Sequence, residues 1–253
     1  MSRNGPDDGV SAAIAVALLD RTAVCDIDLI ERLTALINGV YATAESGLWR
    51  PQAVRTSASE LTELINLEQI AVATVGGQLA GAIHVQALSD ITGEFGMLAA
   101  TPEHRGIGVG RALIDFAEQH CADDGLQVMQ LELLVPSSWR HPSKVFLDDW
   151  YRRLGYRVIR TASVEDLHPA LAPLIATPCQ FVIYQKALDG KVTSEAPGTS
   201  WLPIVWVAVR RMCLSRLEPL THGGHLVVSV RSCASMAGRS IRDDTAAMRP
   251  SRK

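Results

Sequence analysis

The sequence is short of several things that would point to particular functions. Aromatic residues are 5% of it, and acidic and basic residues nearly cancel, at a formal net charge of −3. The five cysteines (Cys25, Cys121, Cys179, Cys213 and Cys233) are scattered. They form no C-x-x-C pair and no metal-ligand spacing, so no metal centre is expected and a reducing, cytoplasmic setting fits. Among the apolar runs, residues 201–209 are nine long, far short of the roughly 20 needed to span a bilayer. The run at residues 12–19 leads into a charged helical pattern, not a cleavage site, so no secretory leader and no membrane association are expected. No Gly-Lys-Ser/Thr triplet occurs, which removes the P-loop nucleotide site.

The charge that is present is unevenly placed. Residues 190–253 hold ten Lys/Arg and four Asp/Glu, net +6, while residues 1–189 are net −9. An acidic body attracts a cationic amine; it is also an ordinary solvated surface. The basic residues after 190 are dispersed, not in a run. A nucleic-acid partner is therefore not expected, although a partner-binding tail stays open.

Apolar periodicity alternates between strand and helix along the first three quarters of the chain. Residues 11–19 predict a strand. Asp26 caps a helix carrying Leu29, Leu33, Leu36 and Ile37, which Gly47 to Pro51 break. Ser57 and Glu60 form a capping-box pattern for a short second helix. Strands at 70–75 and 78–87 join through Gly76-Gly77, a hairpin signal. Then follow a strand at 95–100, a helix from 109 to about 124, a strand at 127–135, a helix at 142–154 and a strand at 156–160. A proline-containing loop at 168–178 leads to a last strand at 180–186. This alternation argues a mixed α/β sheet. Residues 190–200 have linker composition, and beyond them periodicity is poor. The expected organisation is one domain at 8–188 and a basic, disordered extension at 189–253.

The most informative segment is Met97-Leu-Ala-Ala-Thr-Pro-Glu-His-Arg-Gly-Ile-Gly-Val-Gly-Arg-Ala-Leu113. Three alternating glycines stand between a strand and a helix. Glycine admits unusual φ and close approach of a ligand. First-turn N–H groups lack intrahelical partners and carry partial positive charge, so such a turn suits a phosphate. The dinucleotide pattern G-x-G-x-x-G/A fails, because its third small position falls on Arg111 or Leu113. What remains is Arg-x-x-Gly-x-Gly at Arg105, Gly108 and Gly110. Some forty residues on comes Phe146-Leu-Asp-Asp-Trp-Tyr-Arg-Arg-Leu-Gly-Tyr156.

These two motifs, in this order, resemble the pyrophosphate loop and the closing helix–strand signature of the Gcn5-related N-acetyltransferases (the GNAT superfamily). The resemblance covers residues 10 to 188. It implies the GNAT fold: a mixed, mostly antiparallel central sheet flanked by helices. It also implies transfer of an acetyl group from acetyl-CoA to a primary amine by direct attack on the thioester. The acceptor expected is a small molecule, polyamine-like or aminoglycoside-like. The rival is a GNAT-fold module that binds CoA as a sensor or partner without turnover. Homodimers are common in the family, but no stripe here marks an interface.

By the same resemblance, the amides of Arg105, Gly106, Ile107, Gly108, Val109, Gly110, Arg111 and Ala112 hold the pyrophosphate, and Arg105 and Arg111 add charge. Backbone groups of Met97, Leu98 and Ala99 hold the pantetheine arm, and an N–H near Leu98 faces the thioester carbonyl, a fixed dipole aimed at a developing oxyanion. Tyr151 stands where the family often places its general acid, but its i−4 and i+3 neighbours Leu147 and Leu154 also put it on an apolar face. Glu94 is the candidate base, directly or through water; it is equally a strand-end carboxylate. Lys144 departs from the family, which often has Asn there touching the pantetheine arm. Lys144 or Ser143 is expected to take over, reaching a phosphate or the arm, or else to meet the acceptor. Trp49 and Glu45 lie where the family shapes its acceptor pocket, and Trp49 reads equally as a packing residue. His84 reads as a satisfied strand histidine, His141 as a turn residue and Tyr156 as core.

Overall fold

The structure, a computed structural model, describes residues 13–188. The start of the expected domain and the whole 189–253 extension lie outside the described residues. Seven strands form one sheet in the order β1-β2-β3-β4-β5-β7-β6. They are β1 (Ile14–Leu18), β2 (Ile70–Val75), β3 (Gln78–Ala87), β4 (Thr92–Ala100), β5 (Val128–Pro136), β6 (Arg157–Ser163) and β7 (Cys179–Ala187). Every neighbouring pair is antiparallel except β4 with β5, so the sheet is mixed and mostly antiparallel, as expected. The helices are α1 (Ile27–Ala44), α2 (Ala58–Asn66), α3 (Val109–Asp123), α4 (Pro142–Arg153) and the short α5 (Val164–Leu167). Among the described residues no helix is long and apolar enough to cross a membrane.

Local chemistry explains most boundaries. Asp26 Oδ1 accepts from Leu29 N at 2.9 Å and starts α1. Ser57 Oγ accepts from Glu60 N at 3.2 Å and starts α2. The Glu60 carboxylate accepts from the Thr56 hydroxyl at 3.0 Å, one residue upstream of the partner a capping box predicts. Gly76 and Gly77 turn the β2–β3 hairpin with φ of 57° and 80°, the positive pair that a tight hairpin of this hand needs. Pro142 occupies the first turn of α4, where its missing N–H costs nothing.

Two cores sandwich the sheet. On one face α3 buries Val109, Leu113, Ile114, Ala117 and Cys121 against Ile83, Val85, Phe95, Met129 and Leu131. Each such aliphatic side chain contributes about 1.5–3 kcal/mol when fully removed from water. On the other face α1 and α2 bury Ile30, Leu33, Ile37, Leu61 and Ile65 against Ile70, Val72, Ala82, Met97 and Ala99.

Three elements differ from the sequence reading. β4 begins at Thr92, three residues before the apolar run, and forms a hairpin with β3. β6 runs on to Ser163 as a largely exposed edge strand. α5, outside any predicted element, follows it, capped by Ser163 Oγ accepting from Asp166 N at 3.0 Å.

Candidate active site

The sheet divides in the middle. β4 and β5 pair only over Thr92–Val128, Gly93–Met129 and Glu94–Gln130. Beyond Glu94, β4 continues against β3 alone and β5 against β7 alone. A bulge widens the division. The β3–β4 register shifts between Ala82 and His84, and Met97 and Leu98 fall outside the ladder. Met97 takes φ of 49°, a left-handed conformation that costs a side-chain-bearing residue about 1–2 kcal/mol. The bulge frees backbone groups of Met97 and Leu98 from strand pairing at the edge of the gap.

The glycine loop lies on the α3 face. Gly106 and Gly108 have φ of 85° and 100°, open to glycine and strained for other residues. Gly108 is the N-cap of α3 and supplies no capping side chain, whereas Asp26, Ser57 and His141 cap α1, α2 and α4. The N–H groups of Val109, Gly110 and Arg111 have no preceding helical carbonyl to bond. Arg105 is exposed beside them. The Arg111 guanidinium is paired with Asp115 one turn along, its Nε 2.7 Å from the carboxylate, so its charge is partly spoken for within α3.

Glu94 stands at the apex of the division, in the last β4–β5 pair. Its neighbours Gly93 and Phe95 pack toward α3, so strand alternation turns Glu94 to the α1–α2 face. Its carboxylate accepts from Gln86 Nε2 at 3.0 Å and from Gln130 Nε2 at 3.3 Å. Gln185 donates to Gln130 at 3.0 Å and extends this row across the sheet. Next to it, Gly96 faces open space, with nothing within 4 Å of an added Cβ. Opposite Gly96, His84 is pushed down to about 4 by burial and by the Arg55 charge. A neutral imidazole 3.3 Å from Gln69 Oε1 fits the satisfied strand histidine read from the sequence.

Tyr151 reaches the division from the other face. It is 6% exposed, and its ring centroid lies 6.1 Å from those of Phe95, Tyr156 and Tyr184. The hydroxyls of its two tyrosine neighbours are engaged. Tyr156 donates to Glu118 at 2.7 Å, and Glu118 also accepts from Lys186. Tyr184 donates to Asp148. Tyr151 has no hydrogen-bond partner among the described residues, where each fully buried polar side-chain atom has one. Its hydroxyl therefore keeps contact with accessible space. Burial, with Tyr41 and Tyr184 nearby, holds its pKa well above the usual phenol value, so the proton stays on at neutral pH.

Lys144 departs from expectation. Its ammonium is bonded to the Glu45 carboxylate, with the two side chains 5% and 6% exposed. It is a buried strut between α4 and the end of α1, not a free cation poised for a phosphate or the pantetheine arm. Ser143 Oγ donates to Ala44 O, and His141 Nε2 lies 3.1 Å from Ser46 O. Trp49 Nε1 donates to the second Glu45 oxygen. Sequence reasoning put Trp49 and Glu45 where the family shapes its acceptor pocket, with Trp49 equally a packing residue; it missed that they, His141, Ser143 and Lys144 make one junction. Arg55, also missed, has its Cζ 5.1 Å from the Tyr41 ring centre, and its backbone N–H donates to Asn38 Oδ1 at 2.8 Å.

The acetyltransferase (GNAT) domain family matches residues 66–158, which include the bulge, the glycine loop and Tyr151. Over this stretch the chain is similar to a GNAT acetyltransferase domain. The fold is similar to that of a solved enzyme at a TM-score above 0.5, with two more below it. The polyamine N-acetyltransferase of Drosophila melanogaster is 16% identical, with 70% of this chain and 100% of that one covered at a TM-score of 0.52. Ard1 from Thermoplasma volcanium is 15% identical over 70% and 98%, at 0.48. An aminoglycoside 6′-acetyltransferase type Ii is 18% identical over 69% and 97%, at 0.49. No curated protein matches the sequence.

Proposed function

We propose that this chain is an acetyl-CoA-dependent N-acetyltransferase acting on a primary amine of a small molecule. The observation that carries the proposal is the divided sheet. The uncapped glycine loop opens on one face, the carboxylate of Glu94 is turned to the other, and the Tyr151 ring packs beside Phe95, the residue next to Glu94, with its hydroxyl unbonded among the described residues. A thioester arm and an amine entering from opposite faces meet there, and holding them together supplies much of the rate.

Acetyl-CoA, when bound, supplies an activated thioester carbonyl to the amine nitrogen. The N–H groups of residues 106–112 hold its pyrophosphate, with Arg105 adding charge and Arg111 contributing less because of Asp115. Backbone groups of Met97, Leu98 and Ala99 align the arm, and the bulge presents an N–H to the carbonyl oxygen as it gains charge. Glu94 takes the proton of the incoming ammonium, through water. Tyr151 gives its proton to the departing sulfur. Lys144 acts as a positioning residue through Glu45. The net −9 of residues 1–189 favours a cationic acceptor, so polyamine- and aminoglycoside-like amines head the screen. Residues 8–188 form the proposed catalytic domain, with 189–253 a basic extension; the proposed setting is the cytoplasm, and a homodimer is what the family resemblance allows, not what any surface stripe marks.

The test is calorimetric titration of acetyl-CoA into the full chain and into Gly108→Glu, followed by an amine panel read as free thiol. Binding that Gly108→Glu abolishes in a folded protein, with thiol released by an amine, supports the proposal. Tight CoA binding without release from any amine leaves a CoA-binding module. Absence of binding to the folded wild-type chain overturns the proposal.

A further inference from the structure

Helix α4 shows solvent an aromatic surface that acetyl transfer itself does not use. Phe146 is 58% exposed. Its ring stacks on Trp150 one turn later, with centroids 6.4 Å apart and planes 19° from parallel. Trp150 in turn lies against the glycine loop: a Cβ added at Gly110 would come within 3.2 Å of its Cη2. The three residues form a continuous ledge from the first turn of α3 outward to solvent. Gly110 is one of the N–H groups assigned above to the pyrophosphate, so the ledge begins where the phosphates end. Trp150 is half-buried between Phe146 and the loop, whereas Phe146 is the more exposed ring and forms the outer end of the ledge.

We propose that Phe146 is the stacking platform for the adenine of CoA, with Trp150 as the wedge that sets its height above the glycine loop. This rests on the reading of that loop as the pyrophosphate site. A nucleotide held there by its phosphates carries its base one ribose away. A flat apolar base meets an exposed ring by offset stacking, which needs no hydrogen-bonding edge. The contact accepts purines by shape and area, so its contribution goes to affinity for the donor and not to the chemistry at the thioester.

The experiment compares two ligands on the full chain by calorimetric titration: CoA, and 4′-phosphopantetheine, which keeps the arm and lacks the adenosine. Phe146→Ala is expected to weaken CoA binding about tenfold and to leave 4′-phosphopantetheine within about twofold. Phe146→Trp, which restores a ring, is expected to recover CoA affinity. Equal weakening of both ligands would show that Phe146 only holds α4 in place, and would overturn the proposal. So would unchanged CoA affinity in Phe146→Ala, including the case where that variant alters the oligomeric state and marks the ledge as a subunit contact. A folded wild-type chain that binds neither ligand is a different result: it removes the pyrophosphate reading, and the adenine site with it.

Discussion

Tyr151 and Tyr156 offer a paired test, because the structure assigns them opposite consequences. Both rings sit in one aromatic cluster around Phe95, and Phe fits both positions without loss of volume. The Tyr151 hydroxyl has no partner among the described residues, so Tyr151→Phe is expected to change stability by no more than about 0.5 kcal/mol. If it protonates the leaving thiolate, kcat falls by about 10² or more while CoA affinity holds. Tyr156 donates to a carboxylate that keeps a second partner in Lys186. Tyr156→Phe therefore loses a charge-assisted bond worth about 1.5 kcal/mol, lowers the melting temperature by about 3–6 °C and keeps kcat within about twofold. Urea and thermal unfolding, steady-state acetylation of one amine and calorimetric titration of CoA measure these quantities. Retention of more than half the wild-type kcat by Tyr151→Phe refutes the acid role. A stability loss above about 1 kcal/mol in the same variant refutes the claim that its hydroxyl is unbonded.

Two other perturbations test the surroundings. Lys144→Met leaves the Glu45 carboxylate buried with only Trp49 as donor, and is expected to cost about 3 kcal/mol in urea unfolding; adding Glu45→Gln should recover more than half of it, and no recovery would contradict the strut. His84 has a native pKa of about 4, below its unfolded value of 6.5, so the native state binds that proton more weakly. The resulting stabilisation is present above pH 6.5 and is lost as pH falls toward 4. For this partly buried side chain it amounts to about 2 kcal/mol, and His84→Gln should flatten the decline between pH 6.5 and 4.5; an unchanged slope would refute the assignment.

The sequence made legible those parts of the fold whose causes are local. The Gly76-Gly77 turn, the Asp26 and Ser57 caps, Pro142 at the head of α4 and the glycine loop before α3 each act within a few residues, and each predicted boundary falls within two residues of the observed one. What stayed hidden depends on distant partners. Gly93 and Gly96 dilute the strand signal of β4, and that strand is held by its hairpin with β3. The bulge falls on Met97, a residue with no preference for positive φ, so nothing local marks it. Lys144 was read by its place in a motif, yet its partner is 99 residues away in sequence. The extent of β6 follows from pairing with β7, since its own side chains are mostly exposed.

Helix α4 couples these features more tightly than the motifs suggest. Lys144 and Tyr151 are seven residues apart, close to two turns, so they share one side of the helix about 10 Å apart along its axis. The first fastens α4 to the end of α1, and the second stands at the divided sheet. Between them Trp150, turned to a neighbouring side, abuts Gly110. Because a helix transmits position rigidly over two turns, the junction at Glu45 and Trp49, the ring of Tyr151 and the mouth of the glycine loop are set together. Where the resembled family often has Asn, Lys144 thus makes a charge-paired tie to the Glu45–Trp49 junction, which the proposed function puts beside the acceptor. A loosened tie should therefore raise KM for the amine more than Kd for CoA. The opposite order would mean that α4 is positioned from the donor side alone.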